Sequence, residues 1–286
     1  MKVSIILPAY NEAENLKTIL PEIYRVLGRE VEILVMDDGS TDDTAVVAKG
    51  CGATVLSSPY NMGNGAAVKR GIRGASGEVI VLMDSDGQHQ PKDLPVLLGA
   101  LEGYDMVVGS RKPGCQSWYR GLANAAYNVL ATYVSGVPIK DLTSGFRVFR
   151  RDKALRFVPI LPNTFSYPAT LTLSFIASAF PVRFVDVDVL RRDQGVSKIN
   201  LFGDGTRFLI IIMRIAVFFS PLKVFLPVAL LFFFTGLAYY FYTFLAFHRF
   251  TNMSALLFTT SVIIFMLGLV SEQIASLRMS KPGEDN

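Results

Sequence analysis

The sequence predicts an α/β domain with a mainly parallel sheet, followed by interfacial helices and a two-helix transmembrane hairpin. The first 110 residues alternate short apolar runs with helical patterns, as βαβ units do. Polar residues follow several of these runs directly, where a parallel sheet would gather them at one edge. Hydrophobic residues make up 51% of the 286 residues, and their excess lies in the last third of the chain.

Each strand is predicted from a run of β-branched and aliphatic residues, and each helix from apolar residues at helical spacing. The predicted strands are Val3–Leu7, Val31–Met36, Ala53–Leu56, Glu78–Met83, Asp105–Gly109 and Val182–Leu190. The predicted helices are Glu12–Leu27, Asp42–Lys49, Gly65–Ala75, Asp93–Leu101 and Thr164–Phe180. Such alternation favours a parallel sheet covered by helices on both faces.

Two carboxylates follow the most apolar strand, since Val79–Met83 leads directly into Asp84 and Asp86. In an open α/β sheet the ligand crevice lies beyond the carboxyl ends of the strands. Two hard oxygen ligands there suit Mg²⁺ or Mn²⁺, with Gln88 completing the site directly or through water. The alternative interpretation is a solvated turn with two surface acids.

Polar residues also follow the first two strands. Pro8 should end the first strand, and Asn11 is a good N-cap for the next helix. Tyr10 could pack against a flat base, and Glu12 or Asp38 could accept hydrogen bonds from a ribose or base. The alternative is that these residues are ordinary caps and turns.

The glycine-containing stretch 61–67 is only superficially similar to a dinucleotide fingerprint. A Rossmann protein carries its Gly-x-Gly after the first strand, and here the first strand leads into Pro8. We therefore exclude NAD binding. Gly63 and Gly65 instead let a loop approach a nucleotide and open a helix.

Seven motifs run in order along the chain: Pro8-Ala9-Tyr10-Asn11-Glu12, Asp37-Asp38-Gly39-Ser40, Asn61-x-Gly63-x-Gly65, Asp84-x-Asp86-x-Gln88, Gly109-Ser110-Arg111, Thr143-Ser144-Gly145-Phe146-Arg147 and Arg192-x-x-Gly195-x-Ser197-Lys198. Together they resemble the family 2 glycosyltransferases with the GT-A fold, in the polyprenyl-phosphate branch that includes dolichyl-phosphate mannose synthase and undecaprenyl-phosphate glucosyltransferases. The resemblance implies inverting, metal-dependent transfer of a hexosyl residue. The donor would be a UDP- or GDP-sugar and the acceptor dolichyl or undecaprenyl phosphate, and the motifs do not specify the sugar.

The resemblance also implies roles for individual residues. The donor-binding residues would be Pro8, Tyr10, Glu12, Asp38, Gly63, Asp84 and Ser85. The acceptor phosphate would meet Arg111, Arg120, Ser144 and Arg147. The catalytic residues would be Asp86, Arg111, Arg192 and Lys198, and the metal ligands Asp84, Asp86 and Gln88.

The stretch from Arg111 to Arg150 is basic, amphipathic and aromatic, and its first part, about 111–135, is the predicted interfacial segment of the catalytic domain. Basic residues interleaved with aromatic ones occur in proteins that bind single-stranded nucleic acid. A membrane interface has the same composition, and the apolar C-terminal third favours the membrane. We therefore expect a membrane partner and no nucleic acid.

The last third of the chain predicts membrane segments. Residues 199–222 are apolar but carry Arg207 and Arg214 on one helical face, which indicates a helix lying in the interface. Val224–Phe247 is uncharged and as a helix would be about 36 Å long, enough to cross a core of about 30 Å. A second span, 253–272, completes a hairpin within 223–274. A buried helical pair of a soluble protein is the alternative.

Basic residues near the spans predict the orientation. They precede the first span and follow the second, whereas the connector has only Arg249. The catalytic domain, 1–198, and the tail, 275–286, should therefore both be cytoplasmic, at the cell (inner) membrane if the source is prokaryotic. A homo-oligomer formed through the transmembrane helices is a further expectation.

Two other functions compete with this interpretation. One is a membrane glycosyltransferase with another lipid acceptor. The other is a non-catalytic membrane scaffold, which would leave the acidic pair and the basic loop after Arg191 without a purpose. Metal-dependent hydrolysis of the donor would separate an enzyme from a scaffold.

Overall fold

The computed structural model describes residues 2–111, 118–163, 166–190 and 216–280, with residues 118–124 and 278–280 described by their backbone alone. Two compact units divide the chain, Met1–Gly205 and Thr206–Asn286. Most of the predicted interfacial helix 199–222 lies outside the described residues, as does the second half of the predicted tail 275–286, whose first half, 275–280, is helical.

A seven-stranded sheet forms the centre of the first unit within the described residues, in the order β3-β2-β1-β4-β6-β5-β7. The strands are β1 (Val3–Ala9), β2 (Glu32–Asp37), β3 (Thr54–Val55), β4 (Val79–Leu82), β5 (Met106–Arg111), β6 (Arg147–Arg150) and β7 (Val182–Val187). All pairings are parallel except those of β6, which is antiparallel to both β4 and β5. The predicted α/β class with a mainly parallel sheet is confirmed.

Helices cover both faces of this sheet. They are α1 (Ala13–Leu27), α2 (Thr44–Gly50), α3 (Asn64–Gly74), α4 (Leu94–Gly99), α5 (Trp118–Ser135), α6 (Arg151–Leu155) and α7 (Tyr167–Ala177). Short 3-10 turns occur at Pro91–Asp93 and Val158–Ile160. The five helices predicted between Glu12 and Phe180 are all present, with ends that differ from the predictions by up to three residues.

The core has two halves because successive strand residues point to opposite faces. In β1, Ile5 and Leu7 face one half, where α1, α2 and α4 pack. Ile6 faces the other half with residues of α3, α6 and α7. Strands buried on both faces read as continuous apolar runs, which explains why the sequence pattern identified them.

A helical hairpin forms the described part of the second unit. Its helices are α8 (Pro221–Phe247) and α9 (Asn252–Ser280). Both are long and apolar enough to cross a membrane, with mean hydropathies of 2.0 for Pro221–Phe247 and 2.2 for Asn252–Leu277. His248 ends α8 in a left-handed conformation, with φ of 49°. Gly236 and Gly268 let the helices approach closely.

Polar contacts also join the two helices of the hairpin. The Ser261 hydroxyl donates to the carbonyl of Ala229 at 2.8 Å. The Glu272 carboxylate accepts from the backbone N–H of Leu222 at 3.0 Å, in the first turn of α8. Glu272 thus binds one of the amides that a helix leaves without an intrahelical partner.

Gly71 tests how closely α3 packs on the sheet. A Cβ at this position would lie 2.6 Å from Ile6 Cγ2. We expect Gly71→Ala to lower the free energy of unfolding by about 1–3 kcal/mol through overpacking, despite the better helix propensity of alanine. Thermal unfolding of the purified protein measures this. Gly50→Ala in α2 is the control, since nothing lies within 4 Å of its Cβ, and equal effects of the two substitutions would contradict the prediction.

Candidate active site

The candidate site lies at the edge of the sheet where parallel strands end. β1, β2, β4 and β5 share one direction, so their carboxyl ends meet there. The residues that follow β1, β2 and β4 and the last residue of β5 carry the polar side chains identified in the sequence. The strand ends therefore bring Tyr10, Asp38, Asp84 and Arg111 to one side of the sheet.

Hydrogen bonds to β1 and within the turn hold the acidic pair. Ser85 Oγ donates to the carbonyl of Pro8 at 2.7 Å. The Asp86 carboxylate accepts from the backbone N–H of Gln88 at 3.1 Å, across Gly87, whose φ is 75°. The turn therefore has a defined shape, and Ser85 acts here as a positioning residue.

The Asp84 carboxylate packs against the backbone of a second segment. A Cβ built on Gly145 would lie 2.0 Å from Asp84 Oδ2, so a side chain at residue 145 would displace the carboxylate. The Asp84 side chain remains about one-third exposed. Residue 145 must therefore be glycine for the Asp84 carboxylate to keep its place.

His89 lies next to Asp84 and is not among the predicted site residues. Its side chain is 5% exposed, and Nε2 lies 4.0 Å from Asp84 Oδ2. Its ring packs 5.0 Å from that of Phe146. Burial lowers the pKa of His89 to about 4, so the imidazole is neutral at neutral pH. Its burial could not be inferred from a position between two polar residues.

The donor atoms at the strand end fit a hard divalent cation. Asp84 and Asp86 offer carboxylate oxygens, and Gln88 offers an amide oxygen. Within the part of the chain that the structure describes, no group of three or more His, Cys, Asp or Glu side chains is arranged to hold a metal. Two or three protein ligands are enough for Mg²⁺ or Mn²⁺, because waters and substrate phosphates complete the coordination of these ions.

Asp38 holds the glycine-containing loop. Its carboxylate is buried and accepts from the backbone N–H groups of Met62 and Gly63, both at 2.8 Å. Gly63 has a φ of 98°, and a Cβ there would lie 2.5 Å from the carbonyl oxygen of Asn163. Asp38 was predicted to meet the ribose or base, and the structure gives both its oxygens a loop-positioning role.

The loops that follow β1 and β2 are joined by hydrogen bonds. Asn11, with a φ of 56°, donates its N–H to Ser40 Oγ at 3.0 Å and accepts from the Thr41 N–H at 2.8 Å. The prediction that Asn11 caps α1 is wrong, because Glu12 occupies the N-cap position and Asn11 bridges the two loops. Tyr10 is 46% exposed and thus accessible to a ligand.

Arg111, the last residue of β5, is held by a carboxylate that the sequence analysis missed. Its Nε lies 2.7 Å from Asp141 Oδ2 and its Nη2 lies 2.9 Å from Asp141 Oδ1. Burial alone would raise the pKa of Asp141, but hydrogen bonds and charge from Arg111 outweigh it and hold the pKa below its usual value. The sequence feature that could have identified Asp141 is its position two residues before the Thr143-Ser144-Gly145 motif.

Arg147 has a different role from the one predicted. It is fully buried, and its Nε and Nη2 donate at 2.7 Å to the carbonyls of Ser144 and Leu142. Its Nη1 donates to the carbonyl of Pro168 and to Thr172 Oγ1. Burial lowers the pKa of Arg147 to about 10, so the group stays charged at neutral pH.

Assignment of the acceptor phosphate to Arg147 and Ser144 is therefore wrong. The guanidinium is enclosed by protein and already donates to four acceptors. Ser144 is also fully buried, and its hydroxyl accepts from the N–H of Phe146 at 3.2 Å. Both residues shape the interior of the segment that carries them.

Three other predicted residues are not placed by the structure. Arg192 and Lys198 lie outside the described residues. Arg120 belongs to α5, and its side chain is also outside them. Their assignments stay predictions.

Two family models match the chain. The model for glycosyl transferase family 2 matches residues 4–156, just over half of the 286 residues. The model for the GtrB C-terminal hairpin matches residues 220–277. The two matches correspond to the sheet-containing unit and to the helical hairpin.

Curated relatives share about one-third of the aligned residues. A polyprenol monophosphomannose synthase of Mycolicibacterium smegmatis is 33% identical over an alignment of 215 residues, and the match covers 68% of this chain and 80% of that protein. An undecaprenyl-phosphate 4-deoxy-4-formamido-L-arabinose transferase of Proteus mirabilis is 32% identical over 186 residues, 58% of this chain and 56% of that protein. The chain thus aligns with little more than half the length of the second relative.

Solved structures share the fold at lower identity. Glucosyl-3-phosphoglycerate synthase from Mycobacterium tuberculosis, in complex with phosphoglyceric acid, has a TM-score of 0.59 and 24% identity, covering 75% of this chain and 78% of that one. The same enzyme in complex with Mn²⁺ and UDP-glucose also has a TM-score of 0.59, covering 74% and 77%. At this identity the likeness concerns the fold.

Arg147→Met tests the internal role of the guanidinium. We expect the free energy of unfolding to fall by about 3 kcal/mol or more, since several buried carbonyls lose their donor. Thermal unfolding measures this, with Arg150→Met as the control because Arg150, on the same strand, is 44% exposed and lies 3.4 Å from Asp105. An unchanged midpoint with a raised KM for lipid phosphate would restore the acceptor role.

Proposed function

The chain belongs to glycosyl transferase family 2, and we propose that it transfers a hexosyl residue from a nucleotide sugar to a polyprenyl phosphate, with inversion, at a membrane surface. The family resemblance expected from the motifs and the assignment as a glycosyltransferase are both confirmed. The observation that carries the proposal is the meeting of the acidic pair and Arg111 at one sheet edge. Both curated relatives are named for polyprenyl-phosphate substrates or products, which supports the acceptor class.

A phosphate acceptor explains why no obvious base is needed. A phosphate monoester has a second pKa near 6 and is largely ionised at neutral pH. One of its oxygens can bond to the anomeric carbon as the bond from that carbon to the donor diphosphate breaks. The electron pair leaves with the diphosphate, and attack opposite the leaving group inverts the anomeric centre.

The acceptor must be held beside the sugar without losing its nucleophilicity. Arg111 can do this through charge-assisted hydrogen bonds to the phosphate. Its side chain is 22% exposed, and it ends the strand that leads into the basic, aromatic segment. Arg120 stays a predicted helper.

The donor would lie along the loops that follow β1 and β2. Exposed Tyr10 offers a flat surface to the base, and Asp38 fixes the loop containing Gly63 near the nucleotide. Arg192 and Lys198 are expected to neutralise the leaving diphosphate. Catalysis is then mainly orientation and electrostatic stabilisation.

Asp84 and Asp86, with Gln88, would hold a divalent cation. Mg²⁺ or Mn²⁺ bound there would supply Lewis-acid stabilisation of the leaving diphosphate. A Mn²⁺ complex with UDP-glucose in a solved structure of the same fold is consistent with this proposal. Gly145 and Ser85 keep the two carboxylates in place.

The hairpin would keep the site next to its lipid substrate. Two helices with the length and hydropathy of membrane spans match the GtrB hairpin model. Lys223 lies in the first turn of α8 and Arg278 near the end of α9, whereas the connector has only Arg249. By the distribution of basic residues we propose that the catalytic unit is cytoplasmic.

Loss of either acid should abolish transfer. We expect Asp84→Asn and Asp86→Asn each to lower kcat/KM by about 100-fold or more, because a metal contributes several kcal/mol of charge stabilisation. Transfer from labelled nucleotide sugars to polyprenyl phosphate, with and without Mg²⁺ or Mn²⁺, measures this. Asp43→Asn, at an exposed residue before α2, is the control. Near-wild-type activity of the Asp86 variant with metal present would remove the metal assignment.

Arg111 should act on the acceptor and not on the donor. We expect Arg111→Ala to weaken lipid-phosphate affinity or rate by about 10- to 150-fold, which corresponds to a charged hydrogen bond of about 1.5–3 kcal/mol. Arg111→Lys should be impaired less, because lysine keeps the charge but not the planar fork. Nucleotide-sugar affinity by calorimetry should change little. Weaker donor binding with a normal acceptor step would show that Arg111 serves the other substrate.

A further inference from the structure

We propose that Asp141 is a positioning residue for the acceptor step, which orients the Arg111 guanidinium before the lipid phosphate binds. This inference rests on the proposed function, since it takes Arg111 as the acceptor-binding side chain. Three hydrogen bonds carry it. Asp141 accepts from Arg111 Nε at 2.7 Å, from Arg111 Nη2 at 2.9 Å, and from the Arg111 backbone N–H at 3.2 Å.

The Asp141 carboxylate is also held by a residue other than Arg111. Its side chain is 1% exposed, whereas that of Arg111 is 22% exposed. Asp141 Oδ1 accepts from the Thr143 N–H at 3.1 Å and from the Thr143 hydroxyl at 3.2 Å. Thr143 Oγ1 also accepts from Arg111 Nη2. A buried, hydrogen-bonded anion therefore holds a cation that reaches the surface.

The segment that carries Asp141 also contacts the acidic pair. Gly145 lies against the Asp84 carboxylate, four residues further along. Arg147 donates to the carbonyls of Leu142 and Ser144 and so fixes the segment between them. The segment 141–147 thus sets the position of Arg111 relative to Asp84. Arg111 lies on the acceptor side of the proposed site and Asp84 on the donor side.

The pairing changes what Arg111 can offer a phosphate. With Asp141 bound to its Nε–Nη2 edge, the pair has no net charge. The acceptor would meet an oriented guanidinium more than a local excess of positive charge. An arginine held in one rotamer has also lost its conformational entropy before the substrate arrives.

This arrangement predicts a divided kinetic effect for Asp141→Asn, which nearly preserves shape and removes the charge. Without the carboxylate the site gains one positive charge, so the KM for polyprenyl phosphate should stay within about threefold, while kcat falls about 10- to 100-fold because orientation is lost. Nucleotide-sugar affinity should be unchanged. A purely structural role would lower the thermal midpoint and the amount of active enzyme without dividing kcat from KM.

A double-mutant cycle tests whether Asp141 acts through Arg111. We expect Asp141→Asn to have no further effect on kcat/KM in an Arg111→Ala background, since the group that it orients is gone. Asp186→Asn is the matched control. Asp186 pairs with Lys140 at 3.2 Å, both side chains are more than half exposed, and the substitution should leave kcat and KM unchanged.

Each outcome decides the proposal. Additive effects in the cycle, a raised acceptor KM with normal kcat, or wild-type kinetics of Asp141→Asn would overturn it. If that variant does not fold, Thr143→Val decides, because it removes the hydroxyl shared by Asp141 and Arg111 and should lower kcat in the same direction. A wild-type protein that transfers no sugar to polyprenyl phosphate would refute the proposed function itself, whereas active wild type with normal variants refutes only the role of Asp141.

Discussion

A guanidinium enclosed by the protein supports both sides of the candidate site. Arg147 lies on the antiparallel strand between β4 and β5 and donates back to the carbonyls of the segment that precedes it. That segment presents Asp141 to Arg111 and places Gly145 against Asp84. A buried charge is tolerated only when its donors are satisfied, and here four acceptors surround it. The buried Arg147 thereby helps to set the position of Arg111 relative to Asp84.

The central parallel strands β1, β2 and β4 could be predicted from the sequence because they are mainly apolar and buried. β6 could not, since Arg147 and Arg150 border a strand of only four residues, and arginine is rarely fully buried. The strand-end residues Asp84 and Arg111 were identified by type and position. Their partners were not, because the pairing of Arg111 with Asp141 spans 30 residues and depends on where β6 enters the sheet.

Asn11 and Asp38 show a second limit of sequence patterns. Both are of residue types that are common at helix caps and ligand contacts, yet each uses its side chain to fix a neighbouring loop. Local spacing describes the helix that follows a residue, whereas these hydrogen bonds join loops that follow different strands. His89 is similar, because burial in the folded domain keeps it neutral, and that burial, with its ring against Phe146, does not show in its neighbours in sequence.

The Glu272 carboxylate gives the hairpin an order of assembly. It binds a backbone amide in the first turn of α8 but belongs to the far end of α9, 50 residues later in the chain. During synthesis α8 therefore leaves the ribosome without this partner for its amide, and obtains it only when α9 has turned back alongside. The bond between Glu272 and Leu222 therefore fixes the register of the two helices, since it forms only when this part of α9 lies beside the first turn of α8.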